Sequence, residues 1–102
     1  MRLKKTLLLT VLLGLPAPAT AQQPQPPVGD AVFTRACANC HKPGQTEVPP
    51  PEALRAYTPE AIVNALTNGK MAVQGATLTT ADRVAVARFV TGREFAAAAR
   101  RA

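Results

Sequence analysis

The sequence contains no tryptophan and no serine, a single tyrosine and three phenylalanines in 102 residues. Without serine there is no Ser/His/Asp set for nucleophilic catalysis. With so few aromatic rings, a chain this short has little of its own around which to build a core. Histidine is represented once and cysteine twice, so a four-ligand structural zinc site would need Asp or Glu to complete it. No glycine-rich phosphate loop is present. No run alternates apolar and polar residues as a half-buried strand would, and no internal repeat appears. The one long apolar run, Leu7 to Leu15, falls far short of the roughly 20 residues that cross a bilayer.

What is there begins with an export signal. Arg2, Lys4 and Lys5 form a basic n-region, Leu7 to Leu15 an apolar h-region, and Ala19-Thr20-Ala21 a small-x-small cleavage site, so residues 1–21 read as a secretory signal peptide. Neither cysteine stands at the cleavage site, where lipid anchoring would require one. The expected product is soluble and periplasmic, with no membrane span once the signal is removed. Residues 22–28, with the tract Gln22-Gln23-Pro24-Gln25-Pro26-Pro27, read as a flexible leader, and residues 29–102 as the folded domain. Three positive charges leave with the signal peptide, taking the formal charge from +6 to +3. No basic stripe of the kind that binds nucleic acid remains.

Helical spacing dominates the domain. Gly29-Asp30 offers an N-cap, and Val32, Phe33, Ala36, Cys37 and Cys40 follow on one face, predicting a first helix that ends near His41. Lys42 to Pro51 reads as a proline-rich loop, and Glu52 to Tyr57 as one or two helical turns. Thr58-Pro59-Glu60 combines an N-cap hydroxyl, proline at the first helical position and an acid at the positive dipole end. Ile62, Ala65 and Leu66 supply the buried stripe of that helix, and Gly69 the left-handed residue expected to stop it. Lys70 to Leu78 reads as a loop. Thr79-Thr80-Ala81-Asp82 is a capping box opening a helix to Thr91, with Ala85, Val86, Phe89 and Val90 facing inward and Gly92 ending it. Arg93 to Ala102 is an alanine-rich helix or a fraying tail. The fold class is all-α, three to four helices.

Cys37-Ala38-Asn39-Cys40-His41 places two thiols and an imidazole at i, i+3 and i+4, on one side of a helix end. The thiols of such a segment add to the vinyl groups of one haem as thioethers while the imidazole reaches iron from the same side. Three duller chemistries use parts of the pattern. A thioredoxin-like pair belongs at the start of a helix in a βαβ setting, zinc lacks ligands, and a Cys37–Cys40 disulfide closes a very short loop and gives His41 no role. Covalent haem uses all three residues and supplies the core that the aromatic content does not. Its propionates would lower the net charge further.

Iron bound by His41 needs a second axial ligand or an open position. The only histidine is spent, and Met71 is the one methionine outside the signal, in a loop where no apolar stripe claims it. Met71 is therefore the candidate sixth ligand, an arrangement that raises the reduction potential. The other nitrogen of His41 needs an acceptor, for which a carbonyl from Pro49 to Pro51 is available; the alternative is that these prolines only stiffen the loop.

With Gly29-x-x-x-Phe33 ahead of Cys37-x-x-Cys40-His41, a Met-bearing loop and a last helix carrying Phe89, residues 28–92 resemble a class I c-type cytochrome. The resemblance implies that the first and last helices cross with Gly29, Phe33 and Phe89 at the contact, that His41 and Met71 are the axial ligands, and that a proline carbonyl bonds the histidine. Glu52-Ala53-Leu54-Arg55, Thr58-Pro59-Glu60-Ala61-Ile62 and Asn68-Gly69-Lys70-Met71-x-x-Gln74-Gly75 are also similar to the haem domain of quinohaemoprotein dehydrogenases, including those acting on polyvinyl alcohol. The function expected is electron transfer by one haem c cycling between Fe(II) and Fe(III), in a carrier that is not itself an enzyme. Its expected partners are redox proteins such as a quinoprotein dehydrogenase or a terminal oxidase. A haem domain or subunit of a pyrroloquinoline-quinone-dependent alcohol dehydrogenase and a five-coordinate gas-binding haem protein are the two other readings.

Overall fold

The computed structural model describes residues 10–17 and 25–101. The basic n-region and the Ala19-Thr20-Ala21 cleavage site lie outside the described residues. Residues 10–17 and 25–28 carry no regular structure, and the rest of the described chain is helix and turn without a strand. The fold is all-α. Three helices carry the domain, α1 (Gly29–Ala36), α3 (Pro59–Thr67) and α5 (Thr80–Thr91); α2 (Pro51–Leu54), α4 (Ala72–Gly75) and α6 (Ala96–Ala99) are single turns.

The helix starts follow their local chemistry, with one exception. Thr58 Oγ1 accepts the Ala61 N–H at 3.1 Å with Pro59 next in line, and Thr79 and Asp82 exchange the two bonds of a capping box. The exception is α1, where Val28 occupies the N-cap without a side-chain bond, and Asp30 lies inside the first turn instead of capping it. That acid still opposes the positive end of the helix.

Helix ends depart further from the sequence expectation. α1 stops at Ala36, not near His41, because the N–H groups of Cys37 and Ala38 both turn onto the Phe33 carbonyl, at 2.8 and 2.9 Å. Ala38 reaches back five residues, and this wide turn takes the chain out of the α-helix. Gly69 ends α3 without being left-handed; Gly44 and Gly92 are the positive-φ residues among those described. Close approach is what requires glycine there, since a Cβ on Gly69 would stand 2.9 Å from the Ala65 Cα. The segment Lys70 to Leu78 is not a plain loop, because α4 forms within it once the Gly75 N–H donates to the Met71 carbonyl at 2.7 Å.

The first and last long helices cross at Gly29. A Cβ there would come within 2.6 Å of the Phe89 Cβ and onto the Ala85 carbonyl, so the α1 backbone rests directly on α5. Below the crossing, Val32 and Val86 are each 1% exposed and join Leu54, Leu66, Leu78 and Val90 in one core. Phe89 does not face inward as expected: it is 47% exposed, with its ring 5.8 Å from that of Phe33 at the rim. Arg35 pairs with Asp82 at 2.9 Å, joining α1 to α5 a second time. The tail is tied down by Glu60, whose carboxylate accepts the Ala96 N–H at 2.7 Å. No helix among the described residues is long and apolar enough to cross a membrane.

Candidate cofactor site

A cleft of about 440 Å³ opens between α1, the α1–α2 connection, α2, α3, the α3–α4 turn and α5. Its walls are apolar, from Phe33, Leu54, Ile62, Leu66, Val86 and Val90, and three of the residues singled out above, Cys37, His41 and Met71, line it together. They arrive by different routes. The wide turn after α1 carries Cys37 to the wall, and a further turn closed by the His41 N–H on the Cys37 carbonyl at 2.9 Å sets His41 behind it. Met71 comes from the turn after α3, where its N–H donates to the Ala65 carbonyl at 3.0 Å and holds the chain against α3. Cys40 sits in the same turn as Cys37 but is exposed and outside the lining.

His41 is 8% exposed, and its Nδ1 lies 2.7 Å from the Pro49 carbonyl oxygen. A carbonyl only accepts, so Nδ1 is the protonated nitrogen, and in the neutral imidazole the Nε2 lone pair is left for a metal. Of the three prolines considered, Pro49 is the one that orients the ring. Burial pushes the Cys37 thiol up from its ordinary pKa, against a smaller lowering by the Arg35 guanidinium. A nucleophilic redox thiol needs the opposite shift, which argues against a thioredoxin-like pair. Zinc fares no better: among the described residues no three His, Cys, Asp or Glu side chains converge.

The donors fit a haem. A flat apolar macrocycle wants aliphatic and aromatic walls, and iron takes an imidazole on one side and a thioether on the other. Among the lining residues, Tyr57, Asn64 and Lys70 are exposed polar groups, and Lys70 is a full positive charge. Tyr57 and Asn64 were not singled out from the sequence. For Asn64 a signal existed, because it lies three residues after Ala61 and next to Ala65, at the edge of the stripe that faces the cleft.

Residues 24–90 match the profile of the family described as cytochrome c oxidase, cbb3-type, subunit III. The chain belongs to that family. The match runs from the leader through almost all of α5 and so contains every lining residue of the cleft. Neither a curated protein nor a solved structure matches the chain. As a c-type cytochrome domain, the chain has covalently attached haem c, with its iron, as cofactor, and its function is haem-based electron transfer.

Proposed function

We propose that the chain is an exported, periplasmic single-haem electron carrier, with Cys37 and Cys40 holding the haem as thioethers and His41 and Met71 as axial ligands. The observation that carries this reading is the convergence of Cys37, His41 and Met71 on one apolar cleft, with the Nδ1 of His41 already committed to Pro49. Haem iron supplies one-electron chemistry between the ferrous and ferric states.

The protein's own contribution is positional. Pro49 fixes the imidazole tautomer, Leu54, Ile62, Leu66, Val86 and Val90 give the cleft apolar walls, and the α3–α4 junction presents Met71. With its one histidine occupied and no serine, the chain offers no nucleophile–base pair, which supports a carrier over an enzyme. Among the residues that line the cleft, Lys70 is the one cation available to a partner. The family description favours a terminal oxidase as electron acceptor, and the motifs in residues 52–75 favour a quinoprotein dehydrogenase as donor.

The test is a redox titration of holoprotein matured in a bacterial periplasm, wild type against Met71→Ala. The variant is expected to lose the far-red ferric absorption that reports sulfur ligation, to fall in reduction potential and to bind carbon monoxide in the ferrous state. An unchanged potential and spectrum, or a wild type that binds carbon monoxide freely, would replace this reading with the gas-binding one.

A further inference from the structure

The turn that presents Met71 is gripped from two sides. On one side, the Met71 N–H donates to the Ala65 carbonyl of α3 at 3.0 Å, and the Met71 carbonyl accepts from the Gly75 N–H at 2.7 Å. Gly75 in turn lies so close to the Leu66 backbone that no Cβ fits between them, so α4 rests directly on the α3 backbone. On the other side, the Gly75 carbonyl accepts two bonds from Arg83 of α5, from Nε at 3.0 Å and from Nη2 at 2.9 Å. This guanidinium makes neither of the two ion pairs found among the described residues. Its fork is spent on a single backbone oxygen.

We infer that Arg83 is a positioning residue for Met71: by clamping the Gly75 carbonyl it holds α4 between α3 and α5, and thereby sets how firmly the thioether is presented to the cleft. The inference rests on the proposed role of Met71 as axial ligand. Mechanically, Gly75 is bonded to Met71 through one hydrogen bond and to Arg83 through two, so the clamp is one residue contact removed from the ligand. A fork fixes direction as well as distance, which a lysine ammonium on a flexible stem does not reproduce.

The experiment uses holoprotein of the full chain and compares wild type, Arg83→Gln, Arg83→Lys and Met71→Ala for ferric far-red absorption, reduction potential, ferrous carbon monoxide binding and helical circular dichroism. Arg83→Gln is expected to keep its helical signal, lose part of the sulfur absorption, bind carbon monoxide where wild type does not, and shift in potential toward Met71→Ala. Arg83→Lys should fall between wild type and Arg83→Gln. A staple without a positioning role would lower the melting temperature and leave potential and absorption at wild-type values, and that result overturns the inference. If Arg83→Gln yields no holoprotein, Arg83→Lys decides alone on the same two readouts. Should Met71→Ala itself leave the potential and absorption unchanged, the ligand assignment fails and the inference fails with it, a result distinct from failure of Arg83 alone.

Discussion

Replacing Gly29 by alanine tests whether the α1–α5 crossing is as close as it stands. The added Cβ would lie 2.4 Å from the Ala85 carbonyl oxygen and 2.6 Å from the Phe89 Cβ, and ordinary contact begins near 3.4 Å, so the helices must part by about 1 Å at that point. Such a gap, carried to the neighbouring Val32 and Val86, forfeits roughly a quarter to a half of their mutual dispersion attraction. As each buried valine contributes about 1.5–3 kcal/mol, that is on the order of 1 kcal/mol, with a further ~1–3 kcal/mol from crowding at the crossing itself. Against this stands the helix preference of alanine over glycine, at most about 1 kcal/mol and less at a first helical position. The expected net loss is about 2 kcal/mol, or roughly 8–16 °C in melting temperature for a domain of this size. Urea unfolding of the holoprotein, followed by far-ultraviolet circular dichroism and by haem absorption, should show a lower midpoint with an unchanged slope. A Gly29→Ala protein as stable as wild type would refute the close crossing and the role assigned to this glycine.

Cys37→Ala combined with Cys40→Ala should abolish haem retention through acid-acetone extraction and denaturing electrophoresis, read by peroxidase staining of the gel. Thr79→Ala removes the hydroxyl that caps α5 and should cost about 1 kcal/mol in urea unfolding, with the reduction potential little changed. The Thr79 N–H and then Arg35 hold the Asp82 carboxyl below its usual pKa, and the Ala96 N–H does the same for Glu60. Both lie lower folded than unfolded, so their contribution is fully present above the ordinary carboxylate range and is lost as pH falls through the depressed values. Asp82→Asn should accordingly flatten the acid limb of a stability–pH curve, measured by thermal melts from neutral to acid pH.

Local signals were sufficient wherever the stabilising partner lay within a few residues. The caps of α3 and α5, the glycine end at Gly92 and the helical character of the chain all arise from bonds between near neighbours, so residues such as Thr58 and Thr79 announce them. The same holds for Cys37, Cys40 and His41, whose spacing alone points to a chemistry. What went astray depended on distant backbone. Gly69 looked like a handedness signal because glycine serves both purposes, and only its contact with Ala65 separates them. Phe89 fits the apolar spacing of α5, yet it stands at the rim against Phe33, where only the packing of α1 on α5 at Gly29 places it.

By itself, then, the sequence determined the helical class and put forward Cys37, Cys40 and His41 for haem attachment and Met71 as the second ligand, since capping, periodicity and covalent chemistry act at separations of one to four residues. Tertiary structure alone decided that α1 ends four residues before Cys40, that Pro49 and not its neighbours holds His41, that α4 forms at all, and that Arg83 grips it. Each of these is set by a hydrogen bond or a close approach between segments whose distance in sequence carries no information about their distance in space, and whose geometry exists only once the helices have packed.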